Sequence, residues 1–578
     1  MNLRKPLLFL GLVSLLPACT ALPPEAAVKP RPAIQQSELG EHGMVVTAHP
    51  EATLIANRIL ELGGNAVDAS VAAGFAITVV EPTMNSIGGR SQILLKVPEL
   101  GYVAINGMTE IPDSYVRPEE PVADGYGVIA TPGVVAALSR IHSEYGSLPW
   151  NDLVQPAIRL ASDGFIMLPG EASRQESGFE AVKDNSGFQQ NILVDSRTAQ
   201  AGELFIQPGL ARTLSKIATD GAKAFYEGEL AETMAKDIQA NGGYVSYQDL
   251  KNYRAKDGRY ITVKYRDFEI HTIAAPAGGG LVVKALNILE NFPLQEMNDL
   301  EWAALVNQAL ALAIQTLNDD YEESNLKLVT SKEWARFAAS EVSVPDIPID
   351  HVSGNVSSAA RLAAVDWAGD SWGPASTHTT HFVTADCQGM VVSITQTIGP
   401  LFGSKVITPE LGFPYASTMG TYLSAQAQTP GARPRTTIAP TIVTKDGDVI
   451  MVLGAAGGLR ILSGIVQTIS RYIDQGMSLE EAVAAPRIHP ALTSDPLSGE
   501  RRAELRNFHV EMTLENGWSQ SDVESGQNSG FDVIPNSRSA AFARVHALGK
   551  PETKWVGVAD PDWEGSAATP DIQRCALK

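Results

Sequence analysis

Thr379-Thr380-His381-Phe382-Val383-Thr384-Ala385-Asp386-Cys387-Gln388-Gly389-Met390-Val391-Val392-Ser393-Ile394-Thr395-Gln396-Thr397 reads as one β-hairpin. Both arms are rich in β-branched residues, and Gly389 supplies the turn. A loop centred on Gln388 sets Thr379 opposite Thr397. Opposed residues share a face of the sheet, so Thr379, His381, Ser393, Thr395 and Thr397 are expected to form one polar stripe. Strands in a core do not normally gather so many polar groups on one side. Upstream, Asp370 to His378 is a loop by its Ser, Gly and Pro content. Loop, threonine and stripe together suggest a nucleophile exposed by a cut before Thr379. A Thr-Thr pair taken alone is better explained by strand propensity.

Working outward, Met44 to Ala48 is an expected strand. A helix follows with Ala52, Ile55, Ile59 and Leu62 on one face, closed by Gly63-Gly64. A second helix, rich in small residues and suited to close packing, is expected from about Val67 to Val79. Helical spacing recurs near 133–145, 152–163, 229–240, 281–291 and 301–317, and strand-like runs near 102–106, 260–264, 268–273, 440–444 and 449–454. This mixture predicts an α/β or α+β layer architecture, with no internal repeat and no low-complexity linker to divide it. Gly454-Ala455-Ala456-Gly457-Gly458 joins a strand to a helix without the Lys-Ser/Thr of a phosphate loop. Such a turn serves either simple geometry or the presentation of bare N–H groups to an oxyanion.

The chain has 578 residues, 44% of them hydrophobic, enough for a large core. Its 44 basic and 65 acidic residues give a net charge of −21, which argues against nucleic acid and against an anionic membrane surface as partners. Three cysteines are too few for a disulfide framework, although Cys387 and Cys575 are a possible pair in an oxidising compartment. The N-terminus carries Arg4-Lys5, the apolar run Leu7–Leu16 and Pro17-Ala18-Cys19, the pattern of a secretory signal over residues 1–18. Leu16 and Ala18 before Cys19 resemble a bacterial lipobox, with ordinary cleavage nearby as the alternative. Lipid attachment at Cys19 implies a periplasmic protein anchored to the outer membrane, tethered by residues 19–40.

Across most of its length the chain resembles the γ-glutamyltransferases (γ-glutamyl transpeptidases) of the N-terminal-nucleophile hydrolases. The resemblance rests on ordered short motifs. Among them are Gly63-Gly64-Asn65-Ala66-Val67-Asp68-Ala69, Asp163-Gly164-Phe165, Phe225-Tyr226-Glu227-Gly228, Thr379-Thr380-His381, Ala439-Pro440-Thr441 and Ala485-Pro486-Arg487. It implies an α+β fold, a four-layer αββα sandwich. It also implies self-cleavage between His378 and Thr379 into entwined subunits, 41–378 and 379–578. By the same resemblance Thr379 is the nucleophile, Thr397 orients its hydroxyl, and Gly457 and Gly458 form the oxyanion hole. The substrate is a small amide or peptide and the acceptor water or an amine. No cofactor or metal is implied, no nucleic acid is expected, and membrane contact is only through the N-terminal lipid.

The acyl pocket departs from the family pattern. Met108 stands where the family has a carboxylate-binding Arg, and the paired serines become Thr436-Thr437. Gly399 and Thr421 occupy the positions that hold the substrate amino group in the family. Arg90, in a run that is glycine-rich in the family, either replaces the missing carboxylate partner or is paired elsewhere. His381 is expected to be chiefly structural. Three readings follow: an exported γ-glutamyltransferase or glutathione hydrolase, an amidohydrolase of the cephalosporin (glutaryl) acylase type, or a non-catalytic lipoprotein that keeps the fold.

Overall fold

Two seven-stranded antiparallel sheets lie face to face in the centre of the molecule. The computed structural model describes residues 34–316, 323–342, 379–421, 428–494, 501–512, 518–537, 542–562 and 564–572. From Pro32 onward the chain forms one compact unit. The first sheet runs in the order Ser566–Ala568, Gly43–Thr47, Thr380–Asp386, Val391–Thr397, Arg90–Val97, Gly101–Gly107, Lys256–Asp257. The second runs Ser37–Gly40, Trp555–Ala559, Arg544–Gly549, Asp448–Ala456, Thr441–Lys445, Phe268–Ile273, Tyr260–Tyr265.

Alternation along the strands assigns each face to a layer. Between the sheets lie Met44, Val46, Leu94, Val383, Ala385, Val391, Ile442, Val452 and Leu548. The opposite face of the first sheet (Val45, Ile93, Leu95, Phe382, Val392, Ile394) packs on helices that include Ala66–Val80 and Val134–Tyr145. The outer face of the second sheet (Ile270, Val443, Met451, Leu453, Val545) is covered by Gly279–Leu289, Asp299–Gln315 and Arg460–Ile473. The result is the expected four-layer αββα sandwich.

The hairpin register is the one expected. Thr380 pairs with Gln396, His381 with Thr395 and Val383 with Ser393, so the loop centres on Gln388. Gly389 adopts φ +90°, which a side chain rarely tolerates. The Asp386 carboxylate ties the turn by accepting the N–H groups of Gln388 (2.8 Å) and Met390 (3.1 Å). Its other oxygen accepts the Ala66 N–H at 3.0 Å, joining the hairpin to the start of a helix buried along its whole length. The helix closes its own N-terminus with a capping box of Asn65 and Asp68.

Both sheets mix strands from before and after Thr379, so a cut there leaves two fragments sharing both sheets. The strand Arg90–Val97, which the sequence reading did not mark, pairs with both Val391–Thr397 and Gly101–Gly107. The tether expected to reach residue 40 ends earlier. Ser37–Gly40 is an edge strand on Trp555–Ala559, because those backbone groups find partners there. Cys19, His378 and Cys575 lie outside the described residues.

Sheet-to-sheet packing is tight beneath the hairpin. A Cβ built on Gly454 meets the His381 ring at 2.3 Å, and one on Gly565 meets His546 at 2.6 Å. Each imidazole therefore fills the space a side chain would take. Gly454→Ala is expected to lower unfolding free energy by about 1–3 kcal/mol through overpacking, read as a shifted denaturant midpoint at unchanged slope.

Candidate active site

At one end of the sandwich the inter-sheet face changes from apolar to polar. Val383, Leu94 and Val452 belong to the apolar layer. Two residues along, the same face carries His381, Thr395 and Gln92, and two further on Thr379, Thr397 and Arg90. All of these are buried. Strand pairing sets Thr397 opposite Arg90, and on its other side Thr379 reaches it through its hydroxyl.

The Thr379 hydroxyl donates to Thr397 Oγ1 at 3.2 Å, and Thr397 Oγ1 also accepts the Gly399 N–H at 3.0 Å. Gly399 reaches that position with φ +91°. Thr397 is thus held from its own backbone while it orients the neighbouring hydroxyl. From the facing sheet, Gly454 lies under His381, so the register carries Ala456, Gly457 and Gly458 to the level of Thr379. Gly457 (φ +139°) and Gly458 (φ +62°) form the turn into the helix Arg460–Ile473. Positive φ at both positions turns the backbone so that its N–H groups precede a helix N-terminus, a setting suited to negative charge. Burial pushes the Arg460 guanidinium down to about 10, so a desolvated cation stands at the same turn.

His381 donates to or accepts from Thr395 Oγ1 through Nδ1 at 2.9 Å. Burial, then the field of His546, holds its pKa well below the usual range, so the ring is neutral. It supports the hairpin face and offers no charge to the threonines. Among the described residues no group of three or more His, Cys, Asp or Glu side chains is arranged to hold a metal ion. No described helix is long and apolar enough to cross a membrane.

A profile of the gamma-glutamyltranspeptidase family matches residues 52–569. The chain belongs to that family. The gamma-glutamyltranspeptidase relatives include the glutathione hydrolase proenzyme of Escherichia coli (strain K12). That protein is 29% identical over 500 residues, covering 80% of this chain and 83% of the relative. The acylase ACY 1 proenzyme of Pseudomonas sp. (strain V22) is 31% identical over 478 residues, covering 78% and 82%. The fold is shared with a solved cephalosporin acylase from Bacillus halodurans at TM-score 0.79, over 96% of this chain and 100% of that one, at 24% identity. As a member of that family the chain is an enzyme of the N-terminal-nucleophile hydrolase superfamily.

The residues expected to line its acyl pocket are distributed unevenly. Thr437 Oγ1 donates to the Gly458 carbonyl at 2.8 Å, which spends its only proton on the glycine turn. Thr436 Oγ1 accepts the Ile438 N–H at 3.3 Å. Met108 is wholly buried in a cluster with Ile438 and Ala439, so a thioether packs where a guanidinium was sought. Arg90 is buried beside Thr397, and its Nη1 donates to the Ser417 carbonyl at 2.9 Å and to Thr418 Oγ1 at 3.4 Å. Thr421 sits in an exposed turn, its N–H given to the Val122 carbonyl at 3.0 Å, apart from the buried cluster. Sequence reasoning passed over Gln92 and Arg460. Gln92 was quoted beside Arg90, and the alternation of a strand was the signal that could have put both on one face.

Proposed function

We propose that this protein cuts its own His378–Thr379 bond and then transfers acyl groups through an ester on Thr379. The observation that carries this reading is the 3.2 Å bond between two buried threonine hydroxyls at the mouth of the sandwich, level with the glycine turn. In self-cleavage the Thr379 hydroxyl attacks the His378 carbonyl, its proton passes to the Thr379 nitrogen, and the C–N bond gives way to an ester. Water then hydrolyses that ester. The freed α-amine, with an ordinary pKa near 8, serves as general base for its own hydroxyl. In turnover that hydroxyl attacks the substrate amide, the amine product leaves with the proton, and water or an amine accepts the acyl group. Gly457 and Gly458 stabilise the oxyanion at each stage.

γ-Glutamyl amides such as glutathione are the leading donors, in line with the relative named glutathione hydrolase. The second reading, hydrolysis of acyl amides without an α-amino group, is favoured by a specific observation. Met108, Gly399 and Thr421 offer no charge to a zwitterionic head, and an uncompensated buried charge costs several kcal/mol. On either reading Arg90 is the group that meets an acyl carboxylate. Export, with a lipid on Cys19 at the outer membrane, completes the proposal.

Sequencing the N-terminus of the smaller fragment of purified protein tests the reading, and Thr-Thr-His-Phe is expected. Any other start, or a single uncut chain with full activity, overturns it. Thr397→Val removes the acceptor of the Thr379 hydroxyl. One hydrogen bond of this kind is worth ~1 kcal/mol, so self-cleavage followed on a denaturing gel is expected to slow by roughly fivefold.

A further inference from the structure

At the end of the sandwich away from Thr379, the turns between strands enclose a cleft of about 440 Å³. That volume lies within the range of small-molecule sites, about 300–1,000 Å³. The hairpin turn at Gly389, the turn at Asp446 to Asp448 and the link from Lys550 to Trp555 bound it, together with the end of the strand Arg90–Val97. Lys96 stands six residues from Arg90 along that strand, about 20 Å. The cleft is therefore separate from the threonine site.

Its charges are sorted by depth. Lys96 pairs with Val391 and Tyr102 and follows Leu94 by two residues, so its side chain enters the face between the sheets. Lys550 enters from the facing sheet, two residues past Leu548, with Nζ 5.3 Å from the centroid of the Trp555 ring. Val449 and Trp555, at the end of the apolar layer, give the cleft an apolar floor. Lys96 Nζ donates to the Gly447 carbonyl at 2.7 Å, which leaves two of its three protons. Among the described residues neither ammonium makes an ion pair with a carboxylate. Lys445 instead turns its ammonium onto the Phe268 ring, on the outer face of its sheet. Asp446, Asp448 and Glu552 are exposed at the rim.

We infer that this cleft binds a short peptide by its C-terminus, with the carboxylate between Lys96 and Lys550, an apolar last side chain on Val449 and Trp555, and the ammonium at the acidic rim. A carboxylate answers the two half-buried ammoniums with charge-assisted hydrogen bonds, the stronger kind. The rim carboxylates repel a second negative charge and attract a positive one, which disfavours a dianion. In a free amino acid both charges sit on one carbon, whereas here the cations line the inside and the anions the rim, so a peptide spans them. Lys96 precedes Thr379 in the chain and Lys550 follows it. A bound carboxylate thus ties together the two sides of the proposed cut, and the inference stands whether or not that cut occurs.

Calorimetry on the purified protein tests this with alanyl-phenylalanine, its C-terminal amide and its N-acetyl form. The free dipeptide is expected to bind at one site and the amide roughly tenfold more weakly, the scale of a lost charge-assisted hydrogen bond. The acetyl form is expected to bind about threefold more weakly, because solvent screens the exposed rim. Lys96→Met combined with Lys550→Met is expected to bring acid and amide within about twofold of each other. The dipeptide should raise the thermal midpoint of the wild type but not of that double variant. Lys96→Gln with Lys550→Gln serves if the methionine pair fails to fold. No binding, equal affinity for acid and amide in the wild type, or a larger loss for the acetyl form than for the amide overturns the inference. So does an acid preference that survives the double variant, which places the peptide elsewhere, the threonine site included.

Discussion

Thr379→Ala is expected to yield one unbroken polypeptide without amide turnover. Alanine lacks the hydroxyl that attacks the preceding carbonyl, so no ester forms and no new chain start appears. The same deletion removes the group that carries the acyl intermediate, and the two losses are inseparable. Removing the nucleophile of a covalent hydrolase costs on the order of 10⁶ in kcat, which leaves nothing measurable above background. The variant is still expected to fold, since Thr397 Oγ1 keeps the Gly399 N–H and the strand pairing begins at Thr380. Thr379→Ser retains the oxygen and should still cut, at a lower rate. Mass spectrometry of the intact chains decides the matter: two fragments from the alanine variant remove Thr379 from the chemistry.

Acid is expected to destabilise the sandwich well above the usual carboxylate range. His546 is buried on the inter-sheet face, and burial pushes it down to about 4 from an ordinary 6.5. Asp560 pulls its pKa upward, and Arg544 and Arg487 press it down. The folded protein therefore holds His546 neutral where the unfolded chain would bind a proton. Stability is complete above pH 6.5 and falls as the pH drops toward 4, by about 3 kcal/mol for this group alone. His381 and His489, held well below their usual range chiefly by burial, add to the loss. Urea midpoints measured between pH 7.5 and 4.5 should decline steadily, and His546→Gln should flatten the slope. An unchanged slope in that variant assigns the acid sensitivity elsewhere.

The residues differ in how far their roles could be read from the chain. The hairpin was legible because its alternation, its β-branched arms and Gly389 all specify one register, and that register sets Thr379 against Thr397. Helices such as Glu229–Ala240 were legible for the same reason, since one apolar face repeats at helical spacing. Arg90–Val97 escaped notice because it is covered on both faces for most of its length. A strand buried twice shows no alternation from which to recognise it.

Local pattern therefore determined the elements, the family and the threonine pair, since each depends on spacings within a few residues or on motifs in order. Pocket chemistry was a different matter. Only folding showed that Thr437 spends its proton on Gly458 and that Met108 packs in a core. Those outcomes depend on which strands lie side by side and which sheet faces which, and such distances are set by contacts between residues hundreds of positions apart.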